Sequence, residues 1–133
     1  MKINVSITPI IKVRDMRSSI KFYTRILDFK LKFPIEAEDG SPVVDLIRDG
    51  AEIQLSSMSG DGVYGTAVNI AVDEVDDLFA RFLSRGLDAS GKSDSPVHQG
   101  PVDQTWGMRE FYVTDPDGNT LRFRTAIRRN TAS

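Results

Sequence analysis

The residue types that most often perform chemistry are scarce in this sequence of 133 residues, which has one histidine, His98, and no cysteine. A thiolate nucleophile, a disulfide and a zinc site built from Cys and His are therefore excluded. A metal centre that needs two or three histidines cannot form within one chain. We expect His98 to be a surface loop residue. Its alternative role, as general base of a metal-free reaction, requires a carboxylate partner that the sequence does not single out.

Charge and composition narrow the class of protein further. The chain has 17 basic and 19 acidic residues, for a net charge of −2, whereas nucleic-acid-binding proteins usually carry a basic excess. No apolar run is long enough to span a membrane, and the first residues do not form a signal-peptide core. We therefore predict one globular domain in the cytoplasm, with neither a nucleic-acid nor a membrane partner.

The spacing of apolar residues predicts the element order β-α-β-β-β twice, in modules covering about residues 3–58 and about residues 66–125. The helices are predicted from the N-cap Asp15 onward and from Val75 to the C-terminal Gly86. The predicted strands of both modules, in chain order, are Ile3–Val13, Phe29–Ile35, Val43–Ile47, Glu52–Ser56, Ala67–Val72, Leu87–Ala89, Arg109–Thr114 and Thr120–Thr125. The fold class is α+β, and both modules are assigned to a single domain over residues 1–133.

Two sequence stretches resemble a known family. Residues 13–16, 19–23 and 27–29 (VRDM, SIKFY and LDF) look like the first strand and helix of the vicinal oxygen chelate superfamily, which contains glyoxalase I, extradiol dioxygenases and bleomycin-binding proteins. Residues 104–111 (QTWGMREF), running into residues 115–119 (DPDGN), are similar to its bleomycin-resistance branch. The resemblance covers residues 7 to 124. It implies a domain of the glyoxalase/bleomycin-resistance/dioxygenase type that forms a homodimer.

The same resemblance implies where a metal would be bound in the enzymes of the superfamily, which hold a divalent cation with His and Glu side chains of both modules. It places Thr8, Gln54, Asn69 and Arg122 at the four ligand positions. Thr and Asn are poor ligands for Zn, Ni or Fe, Gln is weak, and a guanidinium cannot be deprotonated to coordinate a metal. We therefore expect no metal, no cofactor and no catalytic residue.

Without a metal, the resemblance implies a protein that sequesters a bleomycin-type drug in a cleft between subunits. This drug is large and cationic and has a planar tail, so aromatic faces and carboxylates should bind it. The predicted ligand-binding residues are Phe33, Glu36, Asp39, Gln54, Trp106, Arg109 and Phe111. Core packing is the alternative for Phe33 and Trp106. A solvated loop is the alternative for the acidic residues at positions 36, 38 and 39.

Counting back from the predicted hairpin turn at residues 115–118 places Phe111 opposite Arg122, on one face of the sheet. The same count assigns Tyr112, Leu121 and Phe123 to the helix side. It also places Arg109 and Arg122 on the face that would line the ligand cavity. Two positive charges there do not suit a purely cationic ligand. Either Glu52 or Glu110 neutralises these arginines, or the natural ligand is anionic or neutral.

Two other functions therefore stay open. One is a metal-dependent lyase, isomerase or dioxygenase of the glyoxalase type, and the other is the binding of an unidentified metabolite, which the two arginines favour. The polar segment Ser90–Gln104 is long for a connection without secondary structure, and we interpret it as a lid over the pocket.

Overall fold

The structure is a computed structural model that describes residues 3–89 and 100–127. His98 and most of the predicted lid lie outside these residues. The described elements, in chain order, are β1 (Ile10–Lys12), α1 (Met16–Lys21, continued by a π-helical turn over Phe22–Ile26), β2 (Lys30–Leu31), α2 (Pro34–Glu38), β3 (Val43–Arg48), β4 (Ala51–Ser56), β5 (Ala67–Ala71), α3 (Val75–Ser84), β6 (Val102–Asp103), β7 (Met108–Thr114) and β8 (Thr120–Ala126).

The strands form two four-stranded sheets with the same topology. The first sheet has the order β1-β4-β3-β2 and the second the order β5-β8-β7-β6. In each sheet the first strand of the module pairs in parallel with the last, and the other pairs are antiparallel. The predicted α+β fold with a repeated β-α-β-β-β order is confirmed, with α2 as an addition to the first repeat. None of the helices in the described ranges is long and apolar enough to cross a membrane.

The chain divides into two compact units, which we call the first and second modules. The first contains Met1–Thr66 and Pro116–Asn119, and the second contains Ala67–Asp115 and Thr120–Ser133. The turn between β7 and β8 belongs to the first module, although both of its strands belong to the second.

The first helix begins as its sequence predicts. Asp15 has an extended backbone, and its Oδ1 accepts a hydrogen bond from the Ser18 amide at 3.2 Å, which satisfies one of the free donors of the first turn. Tyr23 on the continuing π-helical turn and Leu27 directly after it are fully buried. The apolar spacing that predicted this helix therefore also identified its buried face.

Three predicted strands differ from the observed ones. The predicted strand Phe29–Ile35 ends early, because Phe33 is the N-cap of α2 and Pro34 begins this helix, where its missing N–H costs no hydrogen bond. In the predicted strand Ile3–Val13 only Ile10–Lys12 forms a strand, and residues 3–9 have no regular secondary structure. Residues 87–89 form no strand. The neighbour of β7 is instead Val102–Asp103, inside the segment predicted to be a lid.

An aromatic cluster forms the core of the second module. The rings of Phe111 and Phe123 stack with centroids 5.1 Å apart, and the edges of Phe79 and Phe82 on α3 pack against them. Phe82, Phe111 and Phe123 are fully buried. Edge-to-face and stacked geometries are those that aromatic rings prefer, so this cluster fixes α3 against β7 and β8.

The Asn119 side chain forms three hydrogen bonds with backbone groups of the first module. Its Oδ1 accepts from the amides of Gly65 and Thr66, each at 3.0 Å, and its Nδ2 donates to the Lys12 carbonyl at 2.9 Å. Asn119 is fully buried. Next to it, Asp117 accepts hydrogen bonds from the backbone and side chain of Arg14, both at 3.1 Å. The β7–β8 turn is thus held in place by polar contacts.

Replacing Asn119 with alanine is expected to lower the free energy of unfolding by about 1–3 kcal/mol, because buried donors and an acceptor lose their partners. Urea unfolding followed by circular dichroism measures the change. Asn4→Ala, at an exposed position, is the control and should stay within about 0.5 kcal/mol of the wild type. Equal stabilities of the two variants would contradict the role given to Asn119.

Candidate functional site

Trp106 lies in the turn that joins β6 to β7. The Gly107 amide donates to the Gln104 carbonyl at 3.2 Å, and Gly107 has a φ of +82°, a conformation that glycine adopts without strain. The indole is 58% exposed and is therefore not part of the core. A large, rigid aromatic surface held in this way is suited to stacking on a planar ligand. The assignment of Trp106 to ligand binding stays a prediction.

The first module presents a second exposed aromatic ring beside carboxylates. Phe33 precedes α2 and is 48% exposed, with the Lys32 ammonium 5.4 Å from its ring centroid. The Lys32 Nζ donates to Glu52 Oε1 at 2.6 Å, and this hydrogen bond raises the pKa of Lys32, so the two charges cancel. Glu36 is half-buried and accepts from the Asp45 amide at 3.4 Å, whereas Asp39 is exposed.

In each sheet one face packs against helices, and we call the other the open face. On the open face of the first sheet, Gln54 pairs with Asp45 on β3 and with Ile10 on β1. Its Nε2 donates to Asp45 Oδ1 at 3.1 Å. Thr8, which was assigned to the first ligand position, precedes β1 and is half-buried. The residue of β1 that pairs with Gln54 is therefore Ile10 and not Thr8.

The open face of the second sheet brings Asn69 on β5 next to Arg122 on β8, which in turn pairs with Tyr112 on β7. The Arg122 guanidinium lies over the Tyr112 ring at 5.2 Å. Glu110 has only 2% of its side chain exposed, and its Oε2 lies 3.0 Å from Arg124 Nε. Burial, and then the Glu110 charge, raises the pKa of Tyr112, so its hydroxyl stays protonated and donates to Glu110 at 3.3 Å.

These two faces test whether the donors fit a divalent metal. At the positions assigned in the first module stand Thr8, whose hydroxyl is a poor metal ligand, and Gln54, whose amide is already bonded to a carboxylate. In the second module they are an amide and a guanidinium. Guanidinium offers no lone pair and repels a cation. No group of three His, Cys, Asp or Glu side chains that could hold a metal occurs in the described ranges. The residues at the family's ligand positions do not fit a metal ion.

The predicted register of β7 against β8 is wrong by one residue. Phe111 pairs with Phe123, and Tyr112 pairs with Arg122. The predicted register assumed a turn of four residues. Asn119 also belongs to the turn, because its side chain bonds the backbone of the first module, so five residues separate Thr114 from its partner Thr120. A slip of one residue moves each side chain of a strand to the opposite face. Phe111 therefore lies in the aromatic core rather than on the open face, and Tyr112 does the reverse.

Arg109 shares the face of Phe111 and is also displaced from the predicted cavity. Its guanidinium binds both carboxylate oxygens of Asp76 at 2.8 and 2.9 Å and Asp103 at 2.9 Å. The hydrogen bond from Arg109 lowers the pKa of Asp76 and raises that of Arg109. For Arg109 the alternative of neutralisation by Glu52 or Glu110 is therefore replaced by neutralisation through these two aspartates. Arg109 joins the start of α3 to β6 and β7.

Sequence reasoning missed Asp45, Glu110, Tyr112 and Arg124 as open-face residues. Alternation along β8 places Arg124 on the face of Arg122 whatever the length of the turn. Glu110 and Tyr112 would have been found if the turn had been counted as five residues. No local signal gave that length, because the Asn119 side chain bonds backbone groups 53 to 107 positions away.

Comparisons with known proteins identify the family. Residues 6–123 match the sequence profile of the Glyoxalase/Bleomycin resistance protein/Dioxygenase superfamily. The chain is 29% identical over 138 residues to the bleomycin resistance proteins of Geobacillus stearothermophilus and of Staphylococcus aureus, an alignment that covers 90% of this chain and 96% of theirs.

Two solved structures have the same fold. A bleomycin-binding protein complexed with bleomycin has a TM-score of 0.73, and a bleomycin resistance determinant encoded on the transposon Tn5 has a TM-score of 0.72. Each is 22% identical in sequence, and each alignment covers 92% of this chain and 98% of the other. The repeated sheet topology and the match over residues 6–123 agree, and the chain belongs to the glyoxalase/bleomycin resistance protein/dioxygenase superfamily.

Proposed function

We propose that this protein binds and sequesters a bleomycin-type drug without a metal and without turnover. The observation that carries the proposal is the exposure of Trp106. This residue is 58% exposed and lies in a turn whose backbone is hydrogen-bonded. The relatives named bleomycin resistance proteins match over nearly their whole length, which supports the same assignment. The misfit of the metal positions argues against the glyoxalase-type alternative.

The proposed ligand contacts are Phe33, Glu36, Asp39, Gln54 and Trp106. Around Phe33 the Lys32 and Glu52 charges cancel, so Glu36 and Asp45 leave a local negative charge that suits a cationic ligand. Trp106 would stack on a planar group. Phe111 and Arg109 are omitted because one is fully buried and the other is neutralised by two aspartates.

Titration with bleomycin, first metal-free and then metal-loaded, tests this function through the fluorescence of Trp106. Since Trp106 is the only tryptophan, any change in emission reports on its own surroundings. We expect a saturable change below about 10 μM drug. A flat titration to that concentration would overturn sequestration. Stoichiometric Zn, Ni or Fe in the purified protein would contradict the metal-free assignment.

We further propose that the protein is a homodimer, that its two modules act as a single domain over residues 1–133, and that it is cytoplasmic. The match over residues 6–123 spans both modules, and the lack of cysteine suits a reducing compartment. The dimer is supported by Ile3, Val5 and Ile7, which are 76%, 80% and 85% exposed. Apolar residues that alternate in the sequence are typical of a strand that packs against another surface.

Ile7→Asp is expected to weaken the homodimer by about tenfold or more, because a charge replaces an apolar contact in the interface. Sedimentation equilibrium measures the dissociation constant. Ser6→Asp adds the same charge at the adjacent exposed position, which is not one of the alternating apolar residues, and should leave the dimer unchanged. A monomeric wild type, or equal effects of both substitutions, would argue against this interface.

A further inference from the structure

The open face of the second sheet has an unbalanced positive charge. It carries the guanidiniums of Arg122 and Arg124 and one carboxylate, that of Glu110. Arg124 Nε lies 3.0 Å from Glu110 Oε2, and the Tyr112 hydroxyl donates to the other oxygen of the same carboxylate. Glu110 is thus occupied by these two partners. Arg122 is left as the uncompensated charge of this face within the described residues.

The Arg122 side chain is held in position but has no acceptor. Its guanidinium lies over the Tyr112 ring at 5.2 Å, and its strand neighbour is Asn69. In the ranges 3–89 and 100–127, Arg122 forms neither an ion pair nor a hydrogen bond, and its Nε is buried without a partner. The residue as a whole is only half-buried. Buried donors are almost always hydrogen-bonded in folded proteins, so this side chain has the properties of one that a ligand completes.

We propose that Arg122, with the neighbouring Asn69 amide, binds the carboxylate group of a small molecule. A guanidinium presents parallel N–H donors that match the two oxygens of a carboxylate, and stacking on Tyr112 fixes the plane of the fork. One uncompensated positive charge matches a singly charged carboxylate better than a doubly charged phosphate. This subsite differs in sign from the carboxylates around Phe33, and it does not depend on whether bleomycin binds.

Titration with benzoate at constant ionic strength tests the subsite, followed by the Nε–Hε signal of Arg122 in ¹H–¹⁵N NMR. We expect saturable shifts of the Arg122 signal with a dissociation constant of roughly 1 mM, and binding at least about tenfold weaker for inorganic phosphate. The Arg122→Gln variant lacks this signal, so its benzoate binding is followed by the backbone amide signals of β5 and β8. We expect its binding to be weaker by at least about tenfold. Arg109→Gln removes the same charge from the other face and should bind benzoate as the wild type does.

Each outcome decides the proposal. Equal benzoate binding by Arg122→Gln and the wild type would overturn it, as would equal losses in Arg122→Gln and Arg109→Gln, which indicate a general charge effect. Phosphate binding as tight as benzoate would overturn the carboxylate assignment.

Circular dichroism checks the fold of each variant. If Arg122→Gln does not fold, Arg122→Lys, which keeps the charge but loses the planar fork, should weaken benzoate binding several-fold. Unchanged binding in that variant would overturn the proposal.

Discussion

Replacing Phe111 with alanine is expected to lower the free energy of unfolding by about 3–5 kcal/mol, the usual cost of removing a buried phenylalanine from a core. Phe111 is fully buried and touches three other phenylalanine rings, with centroid distances between 5.1 and 5.9 Å. The cavity would lie where α3 packs on the second sheet. Urea unfolding followed by far-ultraviolet circular dichroism measures the loss.

The control for this substitution is Trp106→Ala, which removes an even larger aromatic side chain. Because the indole is 58% exposed, its removal should change the free energy of unfolding by less than about 0.5 kcal/mol. If Phe111→Ala left stability intact and instead reduced ligand binding, Phe111 would lie on the open face. The observed pairing of β7 with β8 would then be wrong.

Trp106→Ala is expected to weaken bleomycin binding by about 2–4 kcal/mol, or about 30- to 700-fold, which is the range for an aromatic side chain at the centre of an interface. The loss follows from stacking area that no other side chain of the β6–β7 turn can supply. Isothermal titration calorimetry measures the affinity, since this variant has no tryptophan fluorescence.

Tyr64→Ala is the matched control for Trp106→Ala. Tyr64 is also aromatic and 41% exposed, but its ring is covered by the Arg14 guanidinium at 3.9 Å. We expect its loss to leave bleomycin affinity unchanged. Comparable losses in both variants would show that exposed aromatic residues act non-specifically, and an unaffected Trp106→Ala would remove the tryptophan from the site.

Local signals in the sequence predicted most elements of this fold. The Asp15 N-cap and the helical spacing after Val75 each act over a few residues, and both are confirmed. The strand prediction failed at residues 33–35, where the alternation of Phe33 and Ile35 competed with a proline at the first position of a helix. Period alone does not decide such short segments.

The candidate site was less predictable because it depends on register. Residue types identified Phe33 and Trp106 as aromatic side chains suited to binding, and both are exposed. Which residues share the open face depends on the length of one turn, and that length is set by the contacts of Asn119 with Gly65, Thr66 and Lys12. Contacts between residues so far apart in sequence leave no local pattern.

The contacts of Asn119 also order events during folding. Asn119 and Lys12 are 107 positions apart, and Arg14 and Asp117 are 103 apart. Contacts of such sequence separation form slowly, because a long chain must be closed before they are made. The strands of the first sheet all lie before residue 57, but they receive the hydrogen bonds of the β7–β8 turn only after residues 115–119 have been made. The segment around Lys12 and Arg14 is therefore made first, but it gains these stabilising hydrogen bonds last.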